Sequence, residues 1–121
     1  MESAPGTTVV TGELLELAAT LRAADLAIGN DSGLTHLAVA AGTPALVLFG
    51  PTVPALGFLP VGSHRVVERP ELGCRPCAVH GSERCPRGDH ACLAEITAPS
   101  VLSILDGWIG AAHRLGRVHA G

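Results

Sequence analysis

Two groups of residues in this chain have types and spacing that can do chemistry. The first is Asn30-Asp31-Ser32-Gly33, small and polar, followed directly by the apolar-periodic Leu34-Thr35-His36-Leu37-Ala38. Asp31 and Ser32 can each accept a hydrogen bond from the free N–H groups at a helix start. The same N–H groups, at the positive end of the helix dipole, form a site for a phosphate. The second group is Cys74, Cys77, Cys85 and Cys92, in the pattern C-x2-C-x7-C-x6-C with His80 and His90 nearby. A C-x2-C knuckle is one half of a zinc site, since both thiolates can face one tetrahedral ion. Cys85 and Cys92 do not form a second knuckle, although Asp89 and His90 offer substitute ligands. A structural zinc would fix a long loop with little core of its own. Buried free thiols, a disulfide and metal-free packing are the competing readings.

The elements that position these residues follow from periodicity. Leu14, Leu17, Ala18 and Leu21 line one face of a helix over 13–24, with Glu13 at its positive end. Leu26–Ile28 is a short strand that runs into the Asn30–Gly33 turn. Leu34, Leu37, Ala38 and Ala41 then recur at spacings of three and four and mark the core face of a second helix. His36 lies off that face. Gly42-Thr43-Pro44 ends the helix, with a glycine past the last turn and then a proline. Ala45–Phe49 is a continuous apolar pentamer, as expected of an interior parallel strand. It enters the rigid Gly50-Pro51-Thr52-Val53-Pro54 loop, where Gly50 permits close approach of another backbone or a ligand. Thr52 stands at a strand end, where open α/β sheets bind ligands, and can donate a hydrogen bond there. Arg65–Glu68 is a third strand, and Thr7–Val10 a remnant strand without a partner. Thr97-Ala98-Pro99 opens a last helix with the stripe Val101, Ile104, Leu105, Trp108 and Ala112.

This order predicts an α/β fold: a Rossmann-like parallel sheet with flanking helices and right-handed connections. Residues 1–12 are expected to be a flexible segment, 13–115 the domain, 69–95 its cysteine-rich loop, and 116–121 a frayed tail. Three or four strands are few for a complete doubly wound sheet, so the chain is expected to be part of a larger domain.

Composition narrows the function classes. The chain has 121 residues, 47% hydrophobic and 16% charged, a balance that excludes disorder. Phe49, Phe58 and Trp108 are the only aromatic residues besides histidine, so the core must come from Leu, Val, Ile and Ala. A net charge of −3 without a basic run argues against nucleic acid as a partner. No apolar run approaches the ~20 residues of a membrane span. Met1–Pro5 lacks the pattern of a signal peptide. The expected location is the cytoplasm, including the inner face of the membrane, where cysteines are more often thiols or ligands than disulfides.

Three segments in fixed order resemble glycosyltransferase family 9, which contains the ADP-heptose:lipopolysaccharide heptosyltransferases. They are Asn30-Asp31-Ser32-Gly33-Leu34-Thr35-His36-Leu37-Ala38, Ala40-Ala41-Gly42-Thr43-Pro44 and Leu48-Phe49-Gly50-Pro51-Thr52. The cysteine-rich loop, from Cys74-Arg75-Pro76-Cys77 to Cys92-Leu93, is similar to the same family. The resemblance covers roughly residues 11–105 and implies part of the C-terminal, donor-binding domain of a two-domain GT-B fold. It implies a nucleoside-diphosphate-sugar donor, such as ADP-heptose, and a glycan or lipid-linked acceptor, as in lipopolysaccharide core synthesis. By resemblance, the N–H groups of Ser32, Gly33 and Leu34 approach the donor diphosphate. Asp31 faces the sugar hydroxyls, because an anion beside the diphosphate itself would be repelled. His36 and Thr52 are further donor-site candidates. No catalytic residue is matched and the transfer needs no cofactor; the acceptor domain with the general base has no counterpart, so the chain alone is expected to be inactive. Two other classes stay open: a non-catalytic nucleotide-binding or partner-docking fragment, and a zinc-stabilised interaction module. A sugar-nucleotide epimerase shares the architecture, but the Gly50-Pro51-Thr52 element and the cysteine loop favour the transferase.

Overall fold

The computed structural model describes residues 4–114, with side chains through Ile109. Helix α1 (Leu14–Ala23) leads to strand β1 (Ala27–Asn30), helix α2 (Gly33–Ala40) and strand β2 (Ala45–Leu48). A short 3-10 turn (Pro54–Leu56), strand β3 (His64–Val67), the one-turn helix α3 (Ala91–Ala94) and helix α4 (Ala98–Arg114) complete the order. The three strands form one parallel sheet in the order β1-β2-β3. Gly29 stands beside Val47, and Val47 beside Val66, so this row faces the same way on all three strands. That face carries the core: Val39 of α2 packs with Ala45, Val47 and Phe49, flanked by Ala27, Phe58, Leu59 and Val66. Leu46, on the opposite face of the central strand, is also fully buried. The β1-α2-β2 unit is the parallel crossover expected from the sequence; β2 and β3 are joined without a helix longer than the 3-10 turn.

Local chemistry explains the boundaries. The backbone N–H of Glu13 donates to the Glu16 carboxylate at 3.2 Å, half of a capping box at the start of α1. At the other end, the buried Thr43 hydroxyl donates to the Leu21 carbonyl at 2.6 Å, a second donor on an acceptor that also takes the Ala24 N–H at 3.1 Å. Helix α4 opens on a reciprocal pair: the Thr97 N–H donates to Ser100 Oγ at 3.2 Å and the Ser100 N–H to Thr97 Oγ1 at 3.3 Å. Its Trp108 ring lies 5.0 Å from the guanidinium carbon of Arg65, a cation–π contact that sets the helix against β3.

Several expectations are corrected. Residues 7–10 form no strand. The core face of α2 is Thr35, Ala38 and Val39, while Leu34 is 52% exposed and Leu37 and Ala41 are half-buried. The reason is Gly29 beneath the helix: a Cβ there would stand 2.6 Å from Thr35 Oγ1. Without that Cβ, Thr35 fits against the sheet and its hydroxyl donates to the Asn30 carbonyl at 2.6 Å. The space next to Gly50 is filled by the Leu93 side chain of α3, a helix that the sequence pattern did not reveal. In α1, Leu14 is exposed and Leu17, Ala18 and Leu21 are half-buried. In α4, Val101, Leu105 and Trp108 are half-buried and Ile104 is exposed, while the side chain of Ala112 and the tail 116–121 lie outside the described residues. Among the described residues no helix is long and apolar enough to cross a membrane.

Candidate functional site

The parallel strands β1 and β2 end side by side, and the loop after each supplies one half of the site. After β1, the chain turns through Asp31 and Ser32 into α2. After β2, it passes through Phe49 and Gly50 into Pro51-Thr52-Val53. One side-chain bond joins the two loops: the buried Thr52 hydroxyl donates to Asp31 Oδ2. Thr52 is therefore a positioning residue for Asp31, its own proton already committed.

Ser32 is the N-cap of α2, yet neither its side chain nor that of Asp31 caps the helix. The capping reading gives way to a different arrangement. The Ser32 N–H donates to the Asn30 carbonyl at 2.8 Å, so it is unavailable to a ligand. The Ser32 carbonyl accepts from Thr35 and His36 at 3.1 and 3.3 Å. Among the described residues no acceptor takes the N–H of Gly33 or Leu34. These two groups open the helix, at its positive end. A Cβ built on Gly33 meets nothing within 4 Å, so open space lies on that side. Asp31 is half-buried, and no donor among the described residues reaches its Oδ1. His36 and Leu34 are exposed on α2. The site thus offers two N–H donors, one oriented carboxylate oxygen and an accessible imidazole, together beyond the C-terminal ends of parallel strands. That is where open α/β sheets take ligands.

A residue outside the expected set holds the second loop in place. The Arg75 side chain, only 3% exposed, lies under it. Its Nε donates to the Gly50 carbonyl at 2.6 Å, and one terminal nitrogen donates to the Thr52 carbonyl and the Glu68 carboxylate, both at 3.0 Å. Glu68 follows β3, so the guanidinium ties the exits of β2 and β3 together. Its place inside Cys74-Arg75-Pro76-Cys77 was the available signal, but the partners, a neighbour seven residues away and carbonyls more than twenty away, leave no trace in the sequence.

Glycosyltransferase family 9 (heptosyltransferase) matches residues 7–85, well over half of the chain. The chain belongs to glycosyltransferase family 9. No curated protein and no solved structure matches it. The family match spans both site loops, Arg75 and three of the four cysteines.

In this family member all four cysteines are unbonded and half-buried, and all four line one cavity of about 150 Å³ together with Pro51, Arg75 and His90. His80 is elsewhere: its ring packs on Phe58, centroids 5.5 Å apart. The Cys85 thiol is drawn below its ordinary range, first by the His90 N–H, which donates to its sulfur at 3.3 Å, then by N–H groups of Arg87, Gly88 and Asp89. Asp89 is also held low, chiefly because its carboxylate accepts the Ala91 N–H at 3.1 Å at the start of α3, with Arg87 adding to it. Arg69 pairs with both Glu71 and Glu95 and so links the exit of β3 to the end of α3.

Proposed function

We propose that the chain forms the donor-binding part of a glycosyltransferase that moves a sugar, a heptose in the family's namesake reaction, from a nucleoside diphosphate to a glycan or lipid-linked acceptor. The observation that carries this reading is the pairing of the free Gly33 and Leu34 N–H groups with a carboxylate fixed beside them by Thr52. The N–H groups would receive the diphosphate and stabilise the charge that grows on it as the glycosidic bond breaks. Asp31 Oδ1 would accept from sugar hydroxyls, an assignment that keeps the anion away from the phosphates. His36, one turn into the exposed side of α2, would approach the same ligand. Transfer also needs a general base on the acceptor hydroxyl. In this reading Asp31 binds the donor, so the base would come from outside these residues and the chain by itself would bind without turnover. In this reading the reaction takes place on the cytoplasmic side.

Calorimetric titration of this chain with ADP and with ADP-heptose tests the reading. A Cβ at Gly33 meets no other part of the protein within 4 Å, so Gly33→Val is expected to place bulk against the ligand while sparing the fold. It is expected to weaken both ligands about tenfold or more, the equivalent of ~1.4 kcal/mol or more. Asp31→Ala is expected to weaken ADP-heptose selectively and leave ADP close to wild type. Unchanged affinity in both variants would return this stretch to a plain helix start.

A further inference from the structure

We propose that Cys74, Cys77, Cys85 and Cys92 form a four-thiolate site for a structural zinc ion. Four cysteines from two separate arms of the chain, 74–77 and 85–92, open onto one cavity and none is in a disulfide. Between Gly73 and His90 no apolar residue is buried, so this stretch has no apolar core to hold its shape. A long segment of this kind without a core is the setting in which a metal supplies the missing folding energy.

The two arms are prepared to different degrees. The first is fastened to the sheet: the Cys77 N–H donates to the Pro51 carbonyl at 3.3 Å, and Arg75 is clamped on Gly50 and Thr52. The second arm turns through Gly88, whose N–H donates to the Cys85 carbonyl at 3.0 Å, and directs the His90 N–H onto Cys85 Sγ. Backbone N–H donation to a sulfur is the outer-shell support that metal-bound thiolates use. Among the described residues no three His, Cys, Asp or Glu side chains already stand close enough to hold one ion. Binding therefore requires the 85–92 arm to close on the fastened 74–77 arm across the cavity.

The chemistry balances without an oxidant. Zinc(II) takes four thiols as thiolates, four protons leave to the buffer, and no atom changes oxidation state. The resulting centre carries two negative charges, and the Arg75 guanidinium on the cavity wall offsets them in part. Soft thiolate donors in a tetrahedral set select zinc over magnesium or calcium, which take oxygen ligands.

The test uses the whole chain, purified under reductant without added metal. Elemental analysis is expected to give one zinc per chain, released when the thiols are titrated with a mercurial. Exchange into cobalt(II) is expected to give the intense visible d–d bands and the thiolate charge-transfer band of a tetrahedral sulfur site. Cys85→Ser and Cys92→Ser are each expected to lose the ion or weaken its retention against a chelator. Wild-type protein that holds no zinc and develops no such cobalt spectrum overturns the proposal, whether its thiols are free or paired in disulfides by mass spectrometry. Full retention of zinc in both serine variants against the same chelator also overturns it.

Discussion

Replacing Arg75 by methionine removes a buried guanidinium while keeping an unbranched side chain in its place. Two carbonyls and one carboxylate lose a donor: Gly50 at 2.6 Å, Thr52 at 3.0 Å and Glu68 at 3.0 Å. The Phe49 carbonyl, at 3.4 Å, is too distant to count as a full bond. Hydrogen bonds to a charged donor contribute ~1.5–3 kcal/mol each; Glu68 is 26% exposed and can be rehydrated in part, so the ~3–5 kcal/mol of breaking a fully buried ion pair is an upper bound. These figures overlap rather than add, so a total loss of ~3–5 kcal/mol is expected for Arg75→Met. For a domain with ~5–15 kcal/mol of stability, that is a large share. In urea unfolding with a slope of ~1–3 kcal/mol/M, the midpoint falls by ~1 M or more. Arg75→Lys keeps the charge but not the fork that reaches Gly50 and Thr52 from different nitrogens, so it is expected to fall between methionine and wild type. Glu68→Gln separates the ion pair from the carbonyl bonds: combined with Arg75→Met it should cost less than the sum of the two single losses. A methionine variant within ~1 kcal/mol of wild type, or a lysine variant equal to it, would refute the claim that this clamp holds the loop.

Other outcomes follow from single contacts. Gly29→Ala brings a methyl to 2.6 Å from Thr35 Oγ1 and is expected to destabilise by ~1–3 kcal/mol, with Gly29→Ala/Thr35→Ala recovering the steric part in the same urea titration. Thr43→Val removes the side-chain donor to the Leu21 carbonyl and leaves it the Ala24 N–H, so it is expected to cost only ~0.5–1.5 kcal/mol at an unchanged urea slope. Asp89 has a folded-state pKa below its ordinary 3.8, so its contribution is complete above that value and disappears as pH falls through the lower folded-state value. An acid titration of stability should therefore be shallower below pH 3.8 in Asp89→Asn than in wild type.

The parts of the fold that were legible in the sequence are those in which one run of residues carries the whole signal. Ala45–Phe49 is apolar on both faces because the observed β2 is the central strand, and its position was readable to within one residue. The face of α2 was misread for a physical reason. Leu34 is the more hydrophobic residue, but Thr35 is the one that fits over Gly29 and spends its hydroxyl on Asn30. Periodicity weighs side chains by their hydrophobicity and cannot see a missing Cβ on the neighbouring strand. Asp31 and Thr52 were each readable as strand-end polar residues; that one donates to the other depends on β1 and β2 ending in register. Arg75 is not legible because its neighbours in sequence are cysteines, and its partners are one distant carboxylate and backbone carbonyls, which every residue has.

The Phe49 amide has a consequence for how the site is kept ready. Phe49 is fully buried in the core, its N–H donates to the Val67 carbonyl at 2.9 Å, and it immediately precedes the loop that carries Thr52. Its proton should exchange with deuterium only when the sheet itself opens, at a rate set by global unfolding. The loop that carries Thr52 therefore has its starting point fixed by the central strand of the sheet. The entropy of ordering that end of the loop is spent during folding, before any ligand arrives, and does not weaken the binding step.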